Sequence, residues 1–406
     1  LDANTILFSN LFISLFFYGL LWVFAPVISK FYDQPILIPL TRVSGLILII
    51  QAFTIIQATQ LRRNLNFKRK TKIGFIGIIV SGIAGVIAAY YGLGVWSLVI
   101  KNLLNKIIST ILLWLTSKWR PTFQFSKESF KGMFSFGIWV LGTNLLKKFF
   151  DNLYKLVIGK FFSAAQLGFY TKAKELQTIA SNQIMISISS VSFPVFSSMQ
   201  DNKKQLQNAM KQFLIHTMAI MVPIMVTLIV VAEPFVIQLL TEKWRPMIPL
   251  LQILCILGIM YPLEDINLKI LLAQGKSNYN FYLMLIKNAL TIINIVVMLR
   301  FGVIYIVIGE VILNFIAMLI STYYTHKLIQ YGIIYQIKDV AKTLIFAVLA
   351  GAITYFVFRF VSNGWIVLFG GTFLSFSLYV LFQYLFNRTF FLEAVHLINM
   401  IVKPNK

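Results

Sequence analysis

Residues 94–108 read GVWSLVIKNLLNKII, and residues 302–316 read GVIYIVIGEVILNFI. Gly94 aligns with Gly302, Val95 with Val303, Val99 with Val307 and Ile100 with Ile308, all at an offset of 208. Outward from this pair, Pro26 and Pro234 repeat the same offset, and Pro39 and Pro249 follow at 210. Self-similarity at one fixed period marks an internal duplication. Both stretches are apolar enough to lie in lipid, yet Lys101 and Lys106 interrupt the first and Glu310 the second. A charge at the centre of a bilayer costs roughly 2.5–3.5 kcal/mol on insertion scales, so these charges need an explanation.

The rest of the chain has the same character. Of 406 residues, 58% are hydrophobic and 12% charged, with a mean hydropathy of +0.81. Apolar runs of about 20 residues recur from end to end, the length of a helical span. Backbone in lipid must satisfy its own hydrogen bonds, so such runs are helices. The alternating pattern of a membrane β-barrel is missing. The expected fold is therefore an all-α membrane protein, a polytopic helical bundle. A net charge of +23 in a soluble chain would point to nucleic acid. Here it reads as the basic excess of cytoplasmic loops, and no nucleic-acid partner is expected. A single Cys (Cys255) excludes an internal disulfide, and His216, His326 and His396 are too dispersed to form a metal site. Neither a metal nor a cofactor is expected.

Twelve spans are expected, at about 5–30, 36–60, 73–91, 94–116, 132–158, 166–199, 212–240, 247–273, 279–299, 302–325, 340–360 and 364–386, ten from hydropathy and the less apolar 132–158 and 166–199 from polar residues that fall on one stripe. One set of alternate loops holds twenty Lys and Arg, among them Arg62, Arg63, Lys68, Arg69, Lys70 and Lys72. The opposite set holds six: Lys30, Lys160, Lys243, Arg245, Arg300 and Arg359. The positive-inside rule makes the first set, and with it the C-terminus, cytoplasmic. The repeat offset joins span 1 to span 7 and span 4 to span 10. Six spans is an even number, so the two repeats share one orientation, one of the architectures of secondary transporters. The expected organisation is an N-terminal lobe over 1–116, a basic cytoplasmic linker over 117–131, a C-terminal lobe over 132–326, and two extra spans with a tail over 327–406. Spans 5 and 6 precede span 7, so the repeat predicts two further helices ahead of span 1, the first lobe being truncated here.

Ten Lys and Arg and five Asp and Glu fall inside spans. On span 5, Asn144, Lys147, Lys148, Asp151 and Lys155 follow spacings of three, four and seven, which share one helical face. Span 6 adds Lys172, Lys174 and Glu175, then Thr178, Asn182 and Ser189; span 4 adds Lys101 and Lys106. The expected substrate site is a cationic cleft lined by Lys101, Lys106, Asn144, Lys147, Lys148, Asp151, Lys155, Lys172 and Lys174. The competing reading is internal pairing: Lys148 with Asp151, Lys172 with Glu175, Lys269 with Asp265. With ten cations against five carboxylates, pairing leaves a cationic surplus, which suits an anionic cargo. Arg42, Lys269 and Lys287 are expected near span ends, where they anchor helices. Asp151, Glu175, Glu264, Asp265 and Glu310 are candidate carriers of a coupling ion.

No GxxxxGK[ST], HExxH or GxSxG motif is present, and an enzyme is not expected. A further pattern runs from Asp151-Asn152 through Gly159-Lys160 to Leu167-Gly168-Phe169-Tyr170 and Ala173. With it go Leu61-Arg62-Arg63 and Phe67-Lys68, Gly92-Leu93-Gly94-Val95-Trp96, Ser192-Phe193-Pro194-Val195-Phe196, and Glu242-Lys243-Trp244. In order and spacing these resemble the polysaccharide flippases of the multidrug/oligosaccharidyl-lipid/polysaccharide exporter superfamily, nearest to the colanic-acid and teichuronic-acid branch. The resemblance implies twelve to fourteen spans in two six-helix lobes in the bacterial cytoplasmic membrane. It implies an undecaprenyl-diphosphate-linked oligosaccharide as cargo, flipped by alternating access for surface polysaccharide biosynthesis. Membrane lipid and polysaccharide polymerase machinery are the implied partners. The alternatives are a drug/cation antiporter of the same superfamily, which would need buried carboxylates, and a non-transporting membrane partner of a polymerase.

Overall fold

The computed structural model describes residues 2–63, 67–117, 119–124, 126, 145–146 and 148–388. Among them there is no strand, and eleven helices are long and apolar enough to cross a membrane. The chain is a multi-pass helical membrane protein. The remaining expected span, 132–158, lies largely outside the described residues, as do Asn144 and Lys147; its described part continues as a helix over 148–161, here α5. The chain divides into two compact units, Leu1–Asp151 and Asn152–Lys406.

The first unit holds α1 (Asp2–Tyr32), α2 (Leu37–Arg63), α3 (Phe67–Tyr90) and α4 (Trp96–Thr116). Within it α1 packs on α2, α2 on α4, and α3 on α4. The α3–α4 seam has a readable cause. Gly77, Ser81 and Gly85 recur every four residues on α3, and Ser109, Asn105 and Lys101 answer them at the same spacing on α4. A Cβ added at Gly77 would meet the Ser109 hydroxyl, Asn105 Nδ2 donates to Ser81 Oγ at 3.4 Å, and a Cβ at Gly85 would sit 3.0 Å from that of Lys101. Small residues at i, i+4 let membrane helices approach closely, which replaces the hydrophobic drive that lipid does not provide.

The second unit holds α6 (Ala164–Ser198), α7 (Lys203–Val230), α8 (Ala232–Leu240), a 3-10 turn (Glu242–Met247), α9 (Ile248–Ala273), α10 (Ser277–Met298), α11 (Val303–Ile329), α12 (Ile333–Phe358) and α13 (Gly364–Phe386). The span expected as one helix over 212–240 is thus two, broken at Val231. Pro234 has no N–H to give to the carbonyl of Val230, so the ladder is interrupted there. Within this unit α7 packs on α9, α9 on α11, and α10 on α11. That is the helix pairing of the first unit, shifted by the repeat offset. The turns agree as well: Gly94 and Gly302 both have positive φ, 52° and 108°. Glycine tolerates that region and other residues rarely do, which explains why this position reads Gly in both repeats.

α7 and α9 form the centre of the second unit. Met210, Met218, Met221 and Met225 of α7 are fully buried against Leu251, Leu254, Ile266 and Ile270 of α9. Unbranched Met fills the uneven gaps between crossing helices. On α6 the buried positions Tyr170, Ala173, Gln177, Ser181 and Met185 fall every three or four residues, one stripe turned towards α9 and α7. The C-terminal helices are fastened by polar contacts. Asn267 and Gln336 exchange two hydrogen bonds at 2.9 and 3.0 Å, Thr227 meets Ser375 at 2.8 Å, and the Tyr379 hydroxyl donates to the carbonyl of Ala219 at 2.9 Å. Between α11 and α12, burial pushes the Tyr331 phenol up, and its hydrogen bond to Asp339 acts in the same direction.

Candidate functional site

The charged residues inside the spans sort differently in the two units. In the second, the four carboxylates Glu175, Glu264, Asp265 and Glu310 each hold a lysine. Lys172 meets Glu175 at 3.0 Å, one helical turn along α6. Lys174 of α6 reaches Glu310 of α11 at 2.7 Å. Lys287 of α10 reaches Glu264 of α9 at 2.7 Å. Lys269 bonds both Asp265, one turn earlier on α9, and Ser189 of α6. Two expected pairs, Lys172 with Glu175 and Lys269 with Asp265, are therefore present. Lys287 is not a helix-end anchor as expected: it is the eleventh residue of the 22 in α10. Its partner is on another helix, so its own sequence neighbourhood gives no sign of the pair.

Glu310 is the most enclosed of the four, 7% exposed. Its Oε1 takes the Lys174 ammonium, and its Oε2 accepts from the Tyr170 hydroxyl at 3.2 Å. Beside it, Asn294 of α10 donates to the Tyr154 hydroxyl of α5 at 3.1 Å and to the carbonyl of Ile306 at 3.2 Å. Gly309 makes this arrangement possible, because a Cβ there would run into the Asn294 amide. Tyr154, Tyr170 and Asn294 are not among the site residues expected from sequence. Each is a common residue on an apolar helix, and only packing reveals its partner.

The helices α1 to α4 of the first unit show no such neutralisation among the described residues. Beyond Asp2, α1 to α4 carry no Asp or Glu. Among the described residues neither Lys101 nor Lys106 has a carboxylate partner. Lys101 is exposed, with its aliphatic stem against Gly85; Lys106 is half-buried, its carbonyl accepting from Thr110. Arg42 lies 4.4 Å over the Trp22 ring, a cation–π contact that offsets part of its desolvation. On α5, Lys155 donates to Asn152 at 3.2 Å, and Asp151 is exposed. Of the expected cationic set, then, Lys172 and Lys174 are matched by carboxylates, while Lys101 and Lys106 stand uncompensated. Among the described residues no cluster of His, Cys, Asp and Glu is arranged to hold a metal.

The repeat sharpens this contrast. Shifted by 208, Lys101 falls on Gly309, and Gly85 falls next to Asn294. Both units build the same close helix contact, with the glycine on opposite partners. In the first it makes room for a lysine on α4; in the second it makes room for an asparagine on α10. Gly85→Leu is expected to force α3 from α4 and to cost about 1–3 kcal/mol, read as a lower thermal midpoint in detergent. An unchanged midpoint would mean the seam is looser than described.

A family profile described as "Polysaccharide biosynthesis protein" matches residues 1–249. The teichuronic acid biosynthesis protein TuaB of Bacillus subtilis is 27% identical over 283 residues, 69% of this chain and 59% of that protein. The lipopolysaccharide biosynthesis protein WzxC of Escherichia coli is 24% identical over 304 residues, 73% of this chain and 61% of that protein. The chain thus spans about six tenths of the length of these relatives. Among solved structures, the lipid II flippase MurJ in an inward closed conformation superposes with a TM-score of 0.74 at 16% identity, covering 96% of this chain and 84% of MurJ. The fold is shared with MurJ.

Proposed function

We propose that this chain, which belongs to the polysaccharide biosynthesis protein family, acts as a flippase for lipid-linked oligosaccharide. The cargo is an undecaprenyl-diphosphate-linked glycan, moved from the cytoplasmic to the outer leaflet of the bacterial cytoplasmic membrane by alternating access. The observation that carries this reading is the uncompensated charge of Lys101 and Lys106, in a chain whose second unit has its in-span carboxylates matched by lysines. A diphosphate supplies the missing negative charge, and the prenyl chain stays in lipid. The names of the relatives point the same way: two belong to cell-surface polymer biosynthesis, and MurJ is a lipid II flippase. A cation antiporter needs an enclosed carboxylate available to its cargo, whereas Glu310, the most enclosed of the second unit's in-span carboxylates, is already held by Lys174. A proton or cation arriving at Glu310 would have to displace that ammonium, so any coupling role there involves opening the pair. The polysaccharide polymerase is the partner that this route implies.

The test is reconstitution of the full-length protein in liposomes with undecaprenyl-diphosphate-linked oligosaccharide, scored by the fraction of glycan exposed to an added glycosidase. Transfer between leaflets above that of protein-free vesicles is expected. Efflux of an organic cation without glycan transfer would overturn the reading.

A further inference from the structure

The first unit carries a groove of about 380 Å³ between α2 and α4, lined by Phe53, Thr110, Ile111, Trp114, Leu115 and Arg120. Its walls are mainly apolar. The Trp114 indole donates to the carbonyl of Phe53 at 2.9 Å, and the Thr54 and Thr110 hydroxyls meet at 2.8 Å, so α2 and α4 are pinned together behind it. Ile111 and Leu115, 52% and 73% exposed, form the open side. At one end stands Arg120, its guanidinium 6.0 Å from the Trp114 ring. Nη1 of Arg120 is bonded to the carbonyls of Ser117 and Trp119 at 2.7 and 2.9 Å. Among the described residues no carboxylate and no other acceptor takes its Nε or Nη2. The guanidinium is thus held through Nη1, which leaves the N–H groups of Nε and Nη2 for another acceptor, the donor fork that suits phosphate oxygens.

This end of the unit is strongly basic. Ser117 Oγ lies 3.5 Å from Gln60 Oε1, so α4 ends beside the end of α2. α3 starts shortly after α2 stops, with Lys68, Lys70 and Lys72 exposed on its first turns. Loop charge assigns this end to the cytoplasm, the leaflet side whose anionic lipids attract basic juxtamembrane segments.

We propose that this groove is a binding site for one acidic phospholipid, with an acyl chain along Phe53, Ile111, Trp114 and Leu115 and the headgroup phosphate on Arg120. The assignment is independent of the transport reading, since the groove lies on α2 and α4 and uses neither Lys101 nor Lys106. An apolar groove alone would take any lipid; the fixed guanidinium and the surrounding cations select an anionic one.

The experiment is native mass spectrometry of the full-length protein in detergent, titrated separately with phosphatidylglycerol, with phosphatidylcholine of the same chains, and with undecaprenyl phosphate. Wild type is expected to hold one phosphatidylglycerol more tightly than any phosphatidylcholine. Arg120→Ala should weaken that lipid by roughly fivefold, and Arg120→Lys by less. Leu115→Trp, at an exposed position, fills the groove without removing charge and should also release the lipid. Equal retention of both lipids by wild type, or unchanged phosphatidylglycerol binding in Arg120→Ala and Leu115→Trp, would overturn the proposal. So would loss of undecaprenyl phosphate, rather than phosphatidylglycerol, in those variants.

Discussion

Replacing Lys101 and Lys106 together by alanine should lower oligosaccharide export on the order of 100-fold, with the protein still present in the membrane at wild-type level. The size of the effect follows from the chemistry of a diphosphate. Each hydrogen bond from an ammonium to a charged oxygen contributes about 1.5–3 kcal/mol, and removing both ammonium groups compounds the deficit. Stability should move the other way or not at all. Neither lysine has a carboxylate partner among the described residues, and an in-span cation opposes insertion by roughly 2.5–3.5 kcal/mol. Removing it takes away no salt bridge among the described residues. Lys101→Arg and Lys106→Arg keep the charge and should retain most of the export. Quantifying surface polysaccharide in cells and the thermal midpoint of the purified variants separates the two effects. Wild-type export in the double alanine variant would refute the cationic-site reading.

Glu310→Ala should be the most damaging single substitution in the second unit. It strips the partner from the Lys174 ammonium and the acceptor from the Tyr170 hydroxyl, both set among apolar helices. Breaking a buried pair from one side costs about 3–5 kcal/mol, because the surviving charge is left without compensation. Lys174 is 30% exposed, which places the expected destabilisation near the lower figure. The second substitution decides the cause. Lys174→Met added to Glu310→Ala removes the stranded ammonium and should recover most of the stability. A double variant as unstable as the single one would mean that Glu310 matters through Tyr170 alone. The exposed pair of Arg245 with Glu233 is the control: breaking it should leave the thermal midpoint essentially unchanged, because solvent screens exposed ion pairs.

How much of this was legible depends on the reach of each interaction. The all-helical membrane fold, the repeat and the turn glycines Gly94 and Gly302 follow from hydropathy and from a fixed offset. Both are properties of short stretches read in order. The Lys172–Glu175 and Lys269–Asp265 pairs were legible too, at spacings of three and four within one helix. Lys174 with Glu310 was not, nor Lys287 with Glu264. Their partners are on other helices, 136 and 23 residues away. The small residues Gly77, Ser81 and Gly85 did carry a usable signal, a four-residue period on α3 that marks a close helix contact.

The sequence by itself determined that this chain lies in a membrane as helices, that it repeats, and that its spans contain more cations than carboxylates. Tertiary structure alone decided which cations are matched across helices and which remain for a ligand. The physical reason is that helical periodicity assigns each residue to a face, while nothing in that periodicity says which neighbouring helix will cover the face. Packing brought carboxylates to Lys174 and Lys287 from other helices, and among the described residues brought none to Lys101 and Lys106.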